Sequence, residues 1–155
     1  MASSEIESFR LRFDYEIDRL LETIKDLDEK AINWKPPSSG ANSLLVLVTH
    51  TLGSAEQHVV GIAAGKTVVR NRDAEFAAKG GATHLAARAE EVRGRIHDAL
   101  ASLEGRLDEE REPPMREWRA KGTARDRLVH SISHTAEHVG HAQLTRDLLK
   151  ARPAG

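Results

Sequence analysis

Residues 4–30 read SEIESFRLRFDYEIDRLLETIKDLDEK and place an apolar side chain at every third or fourth position. Steps that alternate between three and four residues are typical of a helix whose one face is buried along a bundle seam. Ser4 and Glu7 match the pattern of a capping box at the start of such a helix. The pattern therefore predicts a long helix over residues 4–30 with a buried face made by Ile6, Phe9, Phe13, Ile17, Leu20, Ile24 and Leu27.

Three later stretches show the same helical recurrence. A second helix, the most buried of the set, is predicted from Asn42 or Ser43 to about residue 64, because this segment is apolar on nearly every face and has Glu56 as its only Asp, Glu, Lys or Arg. A third helix is predicted over residues 83–104 with Thr83 as its cap, and a fourth from Thr123, with Asp126 completing the capping pattern. The apolar face of the fourth helix is predicted at Leu128 or Val129, Ile132, Ala136, Val139, Gly140 and Leu144.

The connections between these helices are rich in proline, glycine and polar residues. Residues 65–82 are predicted to form a connection with one short helical turn around residues 74–78. In the last connection, residues 105–122, Met115 and Trp118 are predicted to pack over an end or edge of the helices. No segment shows a strand pattern. The sequence thus predicts a single domain over residues 1–155, an all-α four-helix bundle with long crossover connections.

Composition narrows the possible functions. The net charge is −1, from 23 basic and 24 acidic residues that are interspersed, so no basic surface for nucleic acid is predicted. The chain has no cysteine, which excludes disulfides, thiolate metal ligands and a cysteine nucleophile. The most apolar stretch is interrupted by Asn42, His50, Glu56, Gln57 and His58, so it predicts no membrane span. The expectation is a cytoplasmic protein.

Four of the eight histidines fall within twelve residues of the fourth helix, at His130, His134, His138 and His141. Their spacings of four, four and three place them within an arc of about 80° on one side of the helix. Two histidines four residues apart can both reach one metal ion. The central pair is His134 and His138, with His130 and His134 as the alternative. A third ligand from another helix is needed, and the second helix offers His50 and, as a weaker candidate, His58.

A site with three histidines and an open position suits Lewis-acid chemistry. It can lower the pKa of bound water towards about 7 or hold a deprotonated substrate group. Nitrogen and oxygen ligands leave Zn, Ni, Mn and Fe open. Residues 134–138 also match the H-x-x-E-H pattern of inverted zinc peptidases, but that family needs a further acidic ligand and a much larger domain. A peptidase is therefore rejected, and the match contributes only the prediction that Glu137 lies near the metal.

The order and spacing of several motifs resemble the DinB/YfiT-like superfamily over nearly the whole chain. These motifs are Asn33-Trp34-Lys35-Pro36, Asn42-Ser43-Leu44, His50, and His134-x-x-x-His138-x-Gly140-His141-x-Gln143. The resemblance implies a four-helix bundle in which His50, His134 and His138 hold a divalent metal, usually Zn or Ni. It leaves His141 near the open coordination side and implies a homodimer. The chain departs from the frequent His-Arg-Gly-Gln ending, because it reads His138-Val-Gly-His141.

Some members of that superfamily resemble thiol S-transferases that use bacillithiol or mycothiol. The leading hypothesis is therefore a metal-dependent enzyme that binds a low-molecular-weight thiol as thiolate and acts on a small-molecule substrate, with His141 or Glu137 handling a proton. One alternative is a metal-dependent hydrolase that activates water at the same site. Another is a non-catalytic, metal-binding stress-response protein. A closed shell, completed by His141 or Glu137, favours this structural role, and an open position favours an enzyme.

Overall fold

The computed structural model describes residues 2–112 and 122–152, and these residues are mostly helical. The helices are α1 (Ser4–Glu22), α2 (Glu29–Ile32), α3 (Leu44–Glu56), α4 (Arg72–Phe76), α5 (Ala82–Ser102) and α6 (Ala124–Ala151), and α3 continues as a π-helix over Gln57–Ala63. Two short strands, β1 (Glu110–Arg111) and β2 (Gly122–Thr123), pair antiparallel. Helices α5 and α6 each pack against both α1 and α3, so the long helices surround a common core. The predicted all-α fold is confirmed.

The seam predicted from residues 4–30 lies in the core. Ile6, Phe13, Ile17, Leu20 and Ile24 are buried, and Phe9 and Leu27 pack half-buried against them. Ser3, rather than Ser4, is the N-cap of α1, since its hydroxyl accepts a hydrogen bond from the backbone N–H of Ile6.

Helix α1 ends at Glu22, so the predicted helix over residues 4–30 is wrong in its last third. Residues 23–26 form a turn in which Asp26 has a φ of 60°, a conformation that an aspartate tolerates better than most residues. Asp28 then caps the separate helix α2 by accepting a hydrogen bond from the Ala31 backbone N–H at 2.7 Å. Ile24 and Leu27 continue the apolar spacing across the turn, so the spacing alone could not indicate where α1 ends.

Helix α3 begins as predicted, with Ser43 as N-cap and its apolar run buried. From Gln57 the hydrogen bonding widens to a π-helix, which is rare and occurs most often at functional sites. This π segment carries His58 into the interior, where it is 8% exposed.

The remaining boundaries match the sequence predictions in part. Gly81, not Thr83, is the N-cap of α5. Helix α4 lies within the predicted connection and overlaps the predicted turn, but it begins and ends two residues earlier. The paired strands were not predicted because two residues are too short for an alternating pattern. Between them, residues 113–121, including Met115 and Trp118, lie outside the described part of the chain. None of the helices in the described residues is long and apolar enough to cross a membrane.

Thr123 caps α6 as predicted, through a reciprocal capping box. Its hydroxyl accepts a hydrogen bond from the Asp126 backbone N–H at 3.2 Å, and the Asp126 carboxylate accepts one from the Thr123 backbone N–H at 2.7 Å. Replacing Thr123 with alanine is expected to lower the free energy of unfolding by about 1 kcal/mol, because the cap is lost. Urea denaturation of the two proteins measures the difference, and an unchanged midpoint would contradict it.

The predicted apolar face of α6 is confirmed at Val139 and at Leu128, the buried one of the two alternatives given for that turn, but it is wrong towards the C-terminal end of the helix. Val129 is 56% exposed and Leu144 is 59% exposed, whereas Ser131 and Thr135 are buried. Thr135 is accommodated there because its hydroxyl donates a hydrogen bond to the carbonyl of Ser131 at 2.8 Å. Gly140 is exposed, and a side chain there would meet nothing within 4 Å.

Candidate metal centre

The packing of α3 against α6 brings three histidines from the two helices together. One ring nitrogen from each of His50, His134 and His138 lies within 4.8 Å of the other two. The ring centres of His50 and His138 are 5.0 Å apart, those of His134 and His138 are 4.5 Å apart, and those of His50 and His134 are 6.0 Å apart. These are the three residues that the resemblance implied as ligands, and the described residues contain no other such group of three.

The geometry of this triad fits a small divalent metal. Nitrogens bound to zinc at 2.0–2.1 Å in a tetrahedral site lie about 3.4 Å from one another. The triad is therefore wider than a loaded site by at most about 1.4 Å, a gap that small side-chain rotations close. In addition, Nδ1 of His138 is buried and has no hydrogen-bond partner among the described residues. A donor set of three nitrogens with an unused, buried ring atom is consistent with metal ligation.

Burial keeps these imidazoles neutral. Desolvation, followed by the proximity of His134 and His50, lowers the pKa of His138 to about 4. Burial also lowers the pKa of His134, while the Glu137 carboxylate acts in the opposite direction. The pKa of His50 is lowered by burial as well. At neutral pH each ring therefore keeps a free lone pair, as a metal ligand must.

Two further histidines extend the cluster on one side. The ring centre of His58 lies 4.9 Å from that of His130 and 5.6 Å from that of His134. Burial, followed by the nearby His130 and His134, lowers the pKa of His58 to about 3. Neither His58 nor His130 belongs to the group of three ligand nitrogens. His130 is half-buried against these rings.

The two residues proposed to handle a proton lie at the edge of the cluster. His141 is exposed, and its ring centre is 5.6 Å from that of His138. Glu137 is exposed on the same helix. Neither belongs to the group of three ligand nitrogens. Because His134 and His138 are only half-buried, the cluster borders solvent on this side.

An ion pair with a buried carboxylate and a half-buried arginine lies behind His50, and no pattern in the sequence predicted it. The Glu75 carboxylate is hydrogen-bonded to Nδ1 of His50 at 3.0 Å and to Nε of Arg70 at 2.6 Å. Both Glu75 and Arg70 come from the stretch that the sequence predicted to be a connection. Helix α4, which carries Glu75, has only five residues and therefore no helical periodicity that could mark one of its faces as buried.

Comparison with known proteins supports both the fold and the family. The family model described as mycothiol-S-transferase matches residues 9–151. The crystal structure of a DinB-like protein from Bacillus cereus ATCC 10987 superimposes with a TM-score of 0.74 at 16% sequence identity, covering 96% of this chain and 95% of that one. At this identity the likeness shows the fold alone. No curated protein matches the chain by sequence.

Proposed function

The chain belongs to the mycothiol S-transferase family, and on this premise we propose that it is a metal-dependent transferase of a low-molecular-weight thiol. Mycothiol, which the family name specifies, is the first candidate for that thiol. The observation that carries the metal dependence is the convergence of three neutral imidazole nitrogens from His50, His134 and His138 within 4.8 Å. Zn and Ni are the proposed metals, because they are the metals that the family resemblance implies and both accept an all-nitrogen donor set.

A divalent metal held by these residues would supply Lewis acidity, which favours the thiolate form of a coordinating thiol at neutral pH. The three rings themselves contribute no charge, so they leave the positive charge of the ion uncompensated. His50 is buried, so it would bind the metal from the interior of the protein. His134 and His138 are half-buried and border solvent, so a thiol can reach the metal from their side.

In the proposed reaction the sulfur of the thiol forms a bond to an electrophilic carbon of a small-molecule substrate. The thiol proton must leave before the sulfur attacks, and we assign its transfer to a base at the rim of the cluster, His141 or Glu137. The ring centre of His141 lies 5.6 Å from that of His138, and the Glu137 carboxylate is close enough to His134 to act on its charge. The proton then goes to the leaving group or, in an addition, to the product.

A thiol-consumption assay tests this function. The protein is loaded with Zn or Ni and given mycothiol, bacillithiol or glutathione together with a panel of electrophiles. We expect loss of free thiol with formation of the conjugate, abolished by a chelator and restored when the metal is added back. His84→Ala is the control for removing a histidine from outside the site, because His84 is exposed and does not belong to the group of ligand residues. This variant is expected to consume thiol at the wild-type rate.

Two other results would replace the proposal. Hydrolysis of an ester or amide without any thiol, dependent on the same metal, would favour the hydrolase. Full metal loading without turnover in either assay would favour a metal-binding protein without catalysis.

A further inference from the structure

A carboxylate is buried directly behind His50. Glu75 is 8% exposed, and a buried charge of this kind is stable only when paired and hydrogen-bonded. Arg70 supplies the pair by donating from Nε to Oε1 at 2.6 Å and from Nη2 to Oε2 at 2.8 Å. This two-point contact fixes the carboxylate plane. Oε2 also lies 3.0 Å from Nδ1 of His50, so the ion pair is in contact with the histidine triad.

The hydrogen bond between Glu75 and His50 determines where the imidazole proton lies. An ionised carboxylate can only accept, so Nδ1 of His50 must carry the hydrogen. Nη2 of Arg70 lies 3.4 Å from the same nitrogen and is itself a donor, so it cannot accept that proton. The neutral ring therefore keeps its lone pair on Nε2, the nitrogen that remains available to a metal.

The position of Glu75 requires a glycine at residue 53. Gly53 lies inside α3, where glycine is less favourable than alanine. A side chain on residue 53 would overlap the Oε1 atom of Glu75 and come within 3.4 Å of Nε of Arg70. By contrast, Gly94 inside α5 faces open space, and a methyl group added there would meet nothing within 4 Å. The mid-helix glycine at residue 53 thus serves the close approach of the ion pair.

We propose that Glu75 is a positioning residue: clamped by Arg70 in the space that Gly53 leaves, it holds His50 in the Nδ1-protonated form with Nε2 directed to the metal. This inference rests on the metal site proposed above. A carboxylate behind a ligating histidine orients the ring and raises its basicity, and loss of such a partner typically lowers metal affinity 10–100-fold.

Two variants of Glu75 test the proposal through metal affinity. Glu75→Ala is expected to raise the dissociation constant for Zn about 10–100-fold, measured by competition with a chromophoric chelator. Glu75→Gln keeps the size of the side chain and one accepting oxygen, so its loss is expected to be smaller. It also provides a readout if the alanine variant does not fold. Affinity equal to wild type in both variants would overturn the proposal.

The tautomer of His50 provides a readout that a merely structural role would not change. Long-range ¹H–¹⁵N correlation spectra of the metal-free protein distinguish the protonated ring nitrogen from the bare one. We expect His50 to be protonated at Nδ1 in the wild type and to lose that preference in Glu75→Ala. An Nε2-protonated His50 in the wild type would overturn the inference. Because this measurement needs no metal, it separates failure of Glu75 positioning from failure of the metal site itself.

A double-mutant cycle tests the role of Gly53. Gly53→Ala is expected to weaken Zn binding as Glu75→Ala does, and the double variant is expected to be no weaker than Glu75→Ala alone, because both changes act on one contact. Gly94→Ala is the matched control and is expected to leave Zn affinity unchanged. Additive losses in the double variant, or wild-type affinity in Gly53→Ala, would overturn the account of residue 53.

Discussion

Replacing His134 with alanine is expected to weaken the binding of Zn or Ni by roughly 10²–10³-fold. Structural zinc sites with four ligands bind with about 10–16 kcal/mol, so each ligand contributes about 2.5–4 kcal/mol, which corresponds to roughly that factor. The ring of His134 lies beside those of both other ligands, with centres 6.0 Å from His50 and 4.5 Å from His138. Chelator competition measures the dissociation constant directly.

The matched control for this substitution is His84→Ala. His84 is an exposed histidine on α5, outside the group of ligand nitrogens, so its loss tests for nonspecific effects of removing an imidazole. It is expected to bind metal as the wild type does. Full stoichiometry and unchanged affinity in both His134→Ala and His138→Ala would show that the metal is bound elsewhere, and the proposed site would be wrong.

Acidification is expected to destabilise the metal-free protein. The folded-state pKa of His58 is about 3, below its usual 6.5, so between these values the unfolded chain binds a proton that the folded chain does not. The contribution of His58 to the free energy of unfolding is therefore complete above the unfolded pKa of 6.5, and it is lost as the pH falls towards 3. For His58 alone, the loss between pH 7 and pH 5 is about 2 kcal/mol. The pKa of His138 is lowered to about 4, so its protonation also reduces the free energy of unfolding as the pH falls.

Urea denaturation at a series of pH values, with a chelator present, measures this effect. His58→Gln removes the titrating ring while keeping a polar side chain of similar reach, so its free energy of unfolding is expected to fall less steeply with pH. His84→Gln changes an exposed ring and is expected to keep the wild-type slope. A wild-type stability that is flat between pH 7 and pH 5 would contradict the neutral, buried state of the cluster.

The fold could be predicted from the sequence where apolar spacing and caps agree. The seam from Ile6 to Ile24 and the capping box at Thr123 and Asp126 are both present. The failures occurred where local geometry changed without a change in spacing. The turn at residues 23–26 follows the end of α1 although Leu27 continues the apolar pattern. On α6 the buried face carries Ser131 and Thr135, so hydrophobicity alone placed that face incorrectly.

The site could be predicted less completely than the fold. The spacing of His134 and His138 indicated a ligand pair, but spacing could not choose between His50 and His58 as the third residue. Only the resemblance to a family implied His50, and the structure places that ring beside the pair. Glu75 and Arg70 left no comparable sequence pattern, because a five-residue helix and a loop bring them to His50 through tertiary packing.

Anomalous diffraction from crystals of the Zn- or Ni-loaded protein tests the central claim most directly. We expect one metal per chain, bound at about 2.0–2.1 Å by one nitrogen each of His50, His134 and His138, with at least one further position held by water or thiol. A metal bound away from these three histidines would contradict the proposed site. A shell closed by His141 or Glu137, with no exchangeable position, would contradict the proposed transferase.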